Sequence, residues 1–294
     1  MNTHTCKIFL DSCNPQETAE AVKLLGHIDG QTTNPTLLVK NPEVASYVAR
    51  GKKISEKMLM SLYEKAIREI VTYTNGPVSV EVYADAHTSS TSMLAQAHTM
   101  QSWHNSVYIK FPTIPEGLKA AKEFGNSGGN VNMTLVFDQQ QAAAVYVATQ
   151  NARGGVLVSP FVGRWENKGF NGLDLISNIR SMYNAFDMSR DSVECHVQIL
   201  AASLRSTEHL HGAIARGADI ITAPLQILRQ WKESASERFA SKHTPSPANL
   251  KPIPYISIQL VDDYAQYPID QHPDGLLAQG LSTFASDWNA VVEA

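Results

Sequence analysis

Cysteine is scarce in this chain, with Cys6, Cys13 and Cys195 the three present in 294 residues. An odd count without a CxxC spacing excludes a disulfide scaffold and a cysteine-built zinc site. Cys6 and Cys195 lie in or beside strand-like segments, where a cysteine usually acts as a small apolar filler. An excess of positive charge is also missing: 24 Lys and Arg against 28 Asp and Glu give a net charge of -4. No nucleic-acid partner is expected from such a balance, and an anionic ligand must be met by a few local arginines. No apolar run approaches the ~18 residues of a membrane helix, and residues 1–7 have neither the charged region nor the long apolar stretch of a secretory signal. The expectation is a cytoplasmic protein with no membrane partner. The ten histidines contain no HxxxH pair, and His209 and His211 would not face each other on a helix. Gly125-Asn126-Ser127-Gly128-Gly129 precedes a strand instead of joining a strand to a helix, so it reads as a loop and not a dinucleotide cradle. Neither a metal nor a cofactor is expected.

What the chain does have is a composition fit for a large core, 43% hydrophobic and 18% charged. Short β-branched or apolar runs alternate with longer helical patterns, the mark of βα units around a parallel sheet. The predicted strands are Lys7–Asp11, Ile28–Thr33, Val78–Tyr83, Val107–Phe111, Val131–Val136, Gly155–Ser159, His196–Ala201 and Ala218–Ala223. Helical spacing fills Pro42–Tyr73, long enough for two helices, and Thr91–Met100, Pro115–Phe124, Asp138–Gln150, Gly172–Phe186, Ser206–Arg216 and Leu225–Phe239. Eight strands with crossovers predict a (β/α)8 TIM barrel over residues 1–240. Residues 241–294 then form a C-terminal extension on the same single domain. Within it, Lys242–Pro254 carries four prolines and reads as a loop, Tyr255–Ile269 is mixed, and Pro273–Val292 recovers helical spacing. That terminal helix could close over the barrel mouth or pack on a partner subunit of a homo-oligomer.

Lys110 is the most informative residue, because it sits inside the apolar run Val107-Tyr108-Ile109-Lys110-Phe111-Pro112. A buried ammonium is costly to desolvate, so burial favours the free amine, the form that attacks carbonyls. Lys110 is therefore a candidate Schiff-base nucleophile. The plain alternative is a lysine at an exposed strand end, reaching solvent through its flexible stem.

Chemistry in such barrels gathers at the carboxyl ends of the strands. Polar residues fall there on strand after strand: Asp11, Thr33 and Asn34, Glu81, Lys110, Asn132 and Thr134, Ser159, then Ser203 and Arg205. Each has an ordinary reading when taken alone. Asp11 could be a turn or cap residue, Asn34-Pro35 a turn, Thr134 a strand residue by β-propensity, and Glu81 the salt-bridge partner of Lys110. Coincidence at every strand is harder to accept than coincidence at one. Arg164 and Arg205 follow strands on one side of the mouth, where guanidinium groups suit a phosphate; the alternative for each is a surface ion pair.

Phe9-Leu10-Asp11-Ser12, Thr32-Thr33-Asn34-Pro35-Thr36, Val80-Glu81-Val82, Ile109-Lys110-Phe111-Pro112, Asn132-Met133-Thr134-Leu135, Ser159-Pro160-Phe161-Val162-Gly163-Arg164 and Ala201-Ala202-Ser203-Leu204-Arg205 together resemble the transaldolase family. The resemblance runs from about Lys7 to Pro224 and resumes near Leu281 to Trp288. It implies a class I aldolase barrel of the pentose phosphate pathway, with Lys110 forming the Schiff base. By the same resemblance Glu81 and Thr134 hold a catalytic water, Asp11 transfers protons, Asn34 and Asn132 hold hydroxyls of the dihydroxyacetone unit, and Ser159 contacts the sugar. Arg164, Ser203 and Arg205 are implied to bind the phosphate, with Thr33 and Phe161 also at the substrate. The implied reaction moves a dihydroxyacetone unit from a ketose phosphate, such as fructose 6-phosphate or sedoheptulose 7-phosphate, to an aldose phosphate. In the related fructose-6-phosphate aldolases, which release free dihydroxyacetone, a glutamine replaces the residue matching Glu81 and a tyrosine that matching Phe161. Glu81 and Phe161 thus favour transfer over cleavage. A third reading, a non-catalytic sugar-phosphate binder on the same scaffold, would need the arginines but not Lys110. Cys13, where the family usually has alanine, and residues 241–271 depart from the pattern.

Overall fold

The computed structural model describes residues 6–190, 195–235, 249–269 and 275–293. Eight parallel strands close into a barrel in chain order. They are β1 (Lys7–Asp11), β2 (Gly30–Thr32), β3 (Val78–Glu81), β4 (Val107–Pro112), β5 (Val131–Val136), β6 (Val156–Pro160), β7 (Val197–Ala201) and β8 (Ile220–Ala223), with β8 pairing back onto β1. Residues of β3, β5, β6 and β8 are buried along their whole length, as a sheet covered on both faces requires.

The helices among the described residues are α1 (Pro15–Leu25), α2 (Pro35–Val39), α3 (Pro42–Ala49), α4 (Glu56–Ile70), α5 (Ser90–Gln101), α6 (Pro115–Asn126), α7 (Gln139–Ala148), α8 (Val162–Glu166), α9 (Leu173–Ser189), α10 (Thr207–Ala215), α11 (Leu225–Ala235) and α12 (Leu276–Val291). The expected (β/α)8 barrel with a C-terminal helix is therefore the fold. Pro42–Tyr73 divides into α3 and α4, the second started by Ser55, whose hydroxyl accepts the Met58 N–H.

Three helices were not expected. On α1 the buried face is Pro15, Thr18 and Ala21, too polar and small to show as an apolar stripe. Thr18 is satisfied there by donating to Gln31 Oε1 at 2.9 Å. α2 and α8 have five residues each, fewer than a spacing argument needs. The loop expected from Gly125 begins later, since α6 runs to Asn126. β2 and β3 are also shorter than expected: Tyr83 has left the ladder and donates its N–H to Gln96 Oε1 at 2.8 Å. Residues 236–239 of the expected last barrel helix, 242–248 of the proline-rich loop and 273–274 of the terminal helix lie outside the described residues.

Residues 253–269 form a strap over the helical layer, regular only in a 3-10 turn at Tyr264–Gln266. Gln139 on α7 holds the Ile256 main chain at both groups, at 2.8 and 2.7 Å, and Asn178 on α9 donates to the Ile253 carbonyl at 3.0 Å. Beyond the strap, α12 packs on α2 and β5 and buries Leu281, Phe284, Trp288 and Val291. It lies across the mouth, one of the two placements left open by its sequence. Thr36 on α2 donates to the Asp287 carboxylate, and Gly280 allows the close approach: a Cβ there would meet Leu135 Cδ2 at 2.7 Å.

All three cysteines are free, Cys13 buried and Cys6 and Cys195 half-buried. Among the described residues no helix is long and apolar enough to cross a membrane, and no group of three or more His, Cys, Asp or Glu could hold a metal ion.

Candidate active site

Side chains alternate along a strand, so one residue in two points into the barrel. On β3 and β4 the inward set includes Glu81 and Lys110, which the register sets side by side. Lys110 is 4% exposed and Glu81 3%, so the exposed-lysine reading of Lys110 is excluded. Lys110 Nζ lies 2.9 Å from Glu81 Oε2 and donates to the Thr33 carbonyl at 2.9 Å. The two form a buried ion pair. Burial pushes the Glu81 carboxyl above its ordinary range; Lys110 pulls it back, and Asp11 pushes the same way as burial.

Asp11, at the end of β1, is also raised, chiefly by burial. A hydrogen bond from Thr32 Oγ1 at 2.7 Å and the charges of Lys110 and Lys40 oppose that shift. Next along the sheet Asn132 receives a bond from Ser159 Oγ at 2.7 Å and donates to Ser79 Oγ at 3.0 Å, which fixes the orientation of its amide. Thr134, one inward step above Asn132, has a buried hydroxyl with no hydrogen-bond partner among the described residues. Directly after it the β5 to β6 register shifts, and Leu135 takes φ +60, a left-handed conformation costing about 1–2 kcal/mol for a residue with a side chain. The bulge ends the inward row at Thr134 and turns Leu135 toward α12.

The floor opens upward into a cavity of about 390 Å³ whose lining includes Asp11, Asn34, Lys110, Ser159, Phe161, Arg164, Ser203 and Arg205. Eight of the residues singled out from sequence thus meet around one space. Asn34 caps α2 by accepting the Leu37 N–H at 2.9 Å, so the turn weighed as the ordinary reading of Asn34-Pro35 is a helix start. Arg164 is half-buried between the rings of Phe161 and Phe284, at 5.6 and 5.7 Å. Burial first, then the neighbouring Arg205 charge, lower the Arg164 pKa. Among the described residues neither arginine forms the surface ion pair held open as an alternative. Two like charges side by side at a cavity wall are stabilised by an anion.

Thr33 stands apart from the expectation. Its hydroxyl points out of the barrel, shared with Tyr63 of α4 and donating to the Ser79 carbonyl at 2.7 Å, while Tyr63 accepts the Glu81 N–H at 3.1 Å. Strand parity gives the reason: Thr32 faces inward, so Thr33 faces the helices, and only its carbonyl reaches Lys110. Glu81, Asn132 and Thr134 are buried and do not line the open cavity.

Five polar contributors to the mouth were not singled out from sequence: Thr32, Thr36, Lys40, Thr222 and Thr283. Thr36 and Lys40 are four apart at α2, a spacing that shares one helix face, and the proline at its start was the available signal. Thr222 Oγ1, 2.7 Å from Thr32 Oγ1, lies one residue before the end of β8, near the carboxyl end of its strand like the singled-out residues. Thr283 comes from the far C-terminal helix, and no local pattern places it here.

The family model described as Transaldolase/Fructose-6-phosphate aldolase matches residues 8–294. A protein named "Probable transaldolase" from Leptospira biflexa is 36% identical over 220 residues, covering 75% of this chain and 87% of that protein. One of the same name from Brucella anthropi is 32% identical over 282 residues, covering 96% of each. Another from Bartonella bacilliformis is 34% identical over 223 residues, covering 76% of this chain and 87% of its own.

Proposed function

The chain belongs to the transaldolase/fructose-6-phosphate aldolase family, and from that premise we propose that it transfers a dihydroxyacetone unit from a ketose phosphate to an aldose phosphate through a Schiff base on Lys110. The observation that carries the reading is the Lys110 amine, buried at the cavity floor yet lining the cavity, with Glu81 at 2.9 Å and Asp11 beside it. A lysine so enclosed reaches bulk solvent poorly and an incoming ketone well.

Attack of Nζ on the ketone carbon gives a carbinolamine, and loss of its hydroxyl as water gives an iminium. The raised carboxyl of Glu81 is suited to protonate the departing hydroxyl, and the unpartnered hydroxyl of Thr134 to hold the water it becomes, since a buried hydroxyl without a protein partner seeks one. Asp11 then takes the proton from the C4 hydroxyl. The C3–C4 bond breaks, its electron pair passes to the iminium nitrogen, and an aldose phosphate leaves. Asn34, Asn132 and Ser159 hold the hydroxyls of the enamine left on Lys110. Arg164, Ser203 and Arg205 take the phosphate. The acceptor aldehyde enters, carbon–carbon bond formation reverses these steps, and hydrolysis frees Lys110.

Reduction with borohydride in the presence of fructose 6-phosphate is expected to leave a stable adduct on the Lys110 peptide, detected by mass. An unmodified peptide under turnover conditions would remove the proposal. Glu81 and Phe161 favour transfer over release of free dihydroxyacetone, and assaying that product with and without erythrose 4-phosphate separates the two. Lys110→Ala separates catalysis from sugar-phosphate binding alone: activity should vanish while phosphate-ligand affinity survives.

A further inference from the structure

His209, on α10, touches nothing in the cavity, yet it joins the two segments that carry the arginines. It is buried, and both ring nitrogens are engaged. The main-chain N–H of Arg205 donates to Nδ1 at 3.1 Å. Nδ1 must therefore be bare, and the ring proton sits on Nε2, where Glu166 Oε2 accepts it at 2.8 Å. Glu166 is the last residue of α8, the five-residue helix bearing Arg164.

The rest of this junction is also tight. The Gly163 N–H donates to the Ser203 carbonyl at 3.1 Å, and a Cβ on Gly163 would meet that oxygen at 2.6 Å and Arg205 Nε at 2.5 Å. Ser203 is held at φ +58, a left-handed conformation that is unfavourable unless its surroundings enforce it. Arg205 Nη1 donates to Asn167 Oδ1 at 2.6 Å, one residue past α8. Ser206 caps α10 by accepting the His209 N–H at 3.3 Å, which fixes where the ring begins.

We propose that His209 is a positioning residue for the anion end of the site: clamped between Glu166 and the Arg205 main chain, it sets the height at which Ser203 and Arg205 meet a phosphate group. This rests on the reading that Arg164 and Arg205 bind the phosphate of the sugar. A leucine would fill the space equally well, so packing does not account for a ring used at both nitrogens in a single tautomer. The arrangement also couples the two arginine segments, because any slip of α8 is passed through Glu166 and His209 to the Arg205 backbone.

Two substitutions divide the ring's functions. Asparagine puts an amide oxygen where Nδ1 stands and keeps the acceptor for Arg205. Glutamine reaches to Nε2 and keeps the Glu166 contact but loses that acceptor. His209→Gln is expected to raise the KM for fructose 6-phosphate and weaken inorganic phosphate binding about fivefold, and His209→Asn, which loses only the Glu166 end of the clamp, to do so about twofold, with kcat held within about twofold in both. Turnover of unphosphorylated fructose should be equal in all three. Equal losses in the two variants, or none in either, would overturn the proposal, as would a His209→Gln defect of the same size on fructose. Arg205→Ala separates the premise: if it leaves phosphate affinity unchanged, the phosphate assignment falls and this proposal with it. If it weakens phosphate while His209→Gln does not, only the role of His209 falls.

Discussion

Replacing Lys110 with methionine keeps most of the side chain's bulk and deletes its charge, which isolates what that charge does for two buried carboxyls. Burial raises both Glu81 and Asp11, and in each case Lys110 opposes the shift. Removing one partner of a buried ion pair costs about 3–5 kcal/mol while the other stays charged. The stranded carboxyl can escape that cost by taking up a proton. A carboxyl whose folded pKa lies above its unfolded value binds more protons folded than unfolded between the two, so stability falls as pH rises through that window. Without Lys110 the window extends further upward. Lys110→Met should therefore melt close to wild type at pH 5 and fall behind at pH 8 by about 3 kcal/mol, or roughly 6 °C or more in Tm. Adding Glu81→Gln removes the stranded carboxylate and should recover most of the deficit together with its pH dependence. Scanning calorimetry of the two variants and wild type at both pH values makes the measurement. A Lys110→Met melting point that tracks wild type throughout would refute the reasoning. A pH-independent deficit that Glu81→Gln leaves in place would trace the loss to packing instead.

Thr32→Val removes the hydrogen bond that holds the Asp11 carboxyl down, so Asp11 should titrate at higher pH. If Asp11 is the base for the C4 hydroxyl, the acidic limb of the kcat/KM profile moves to higher pH in that variant; an unmoved limb would take Asp11 out of that step. Gly280→Ala introduces a Cβ 2.7 Å from Leu135 Cδ2 and 3.0 Å from Arg164 Nη1, so the ends of both side chains must give way, and Arg164 is displaced at the cavity wall. A stability loss of about 1–3 kcal/mol and a raised KM should follow, and an unchanged Tm would show that α12 has slack at this contact.

The barrel was legible because a parallel sheet buried on both faces writes each strand as an apolar run, and among the polar residues that interrupt those runs Asp11, Lys110 and Ser159 line the cavity. Lys110 and Glu81 stand out in sequence for the same reason that they matter in the fold: each is a charge in an apolar strand. α1 escaped notice because Thr18 is buried by a hydrogen bond to Gln31, which hydrophobic spacing does not register.

The sequence by itself determined the strand order, the chemistry on offer and which strand ends carry it, since these depend on local alternation and residue type. Only the tertiary structure decided which polar side chains face one another. A one-residue change of parity sent the Thr33 hydroxyl to Tyr63 and left its carbonyl for Lys110. Closure of the barrel and the fold-back of α12 brought Thr222, Thr283 and Phe284 to the same mouth as Asp11, and set His209 between Glu166 and Arg205. Apart from the four-residue step from Arg205 to His209, these contacts join residues far apart in the chain, so no stretch of sequence contains them.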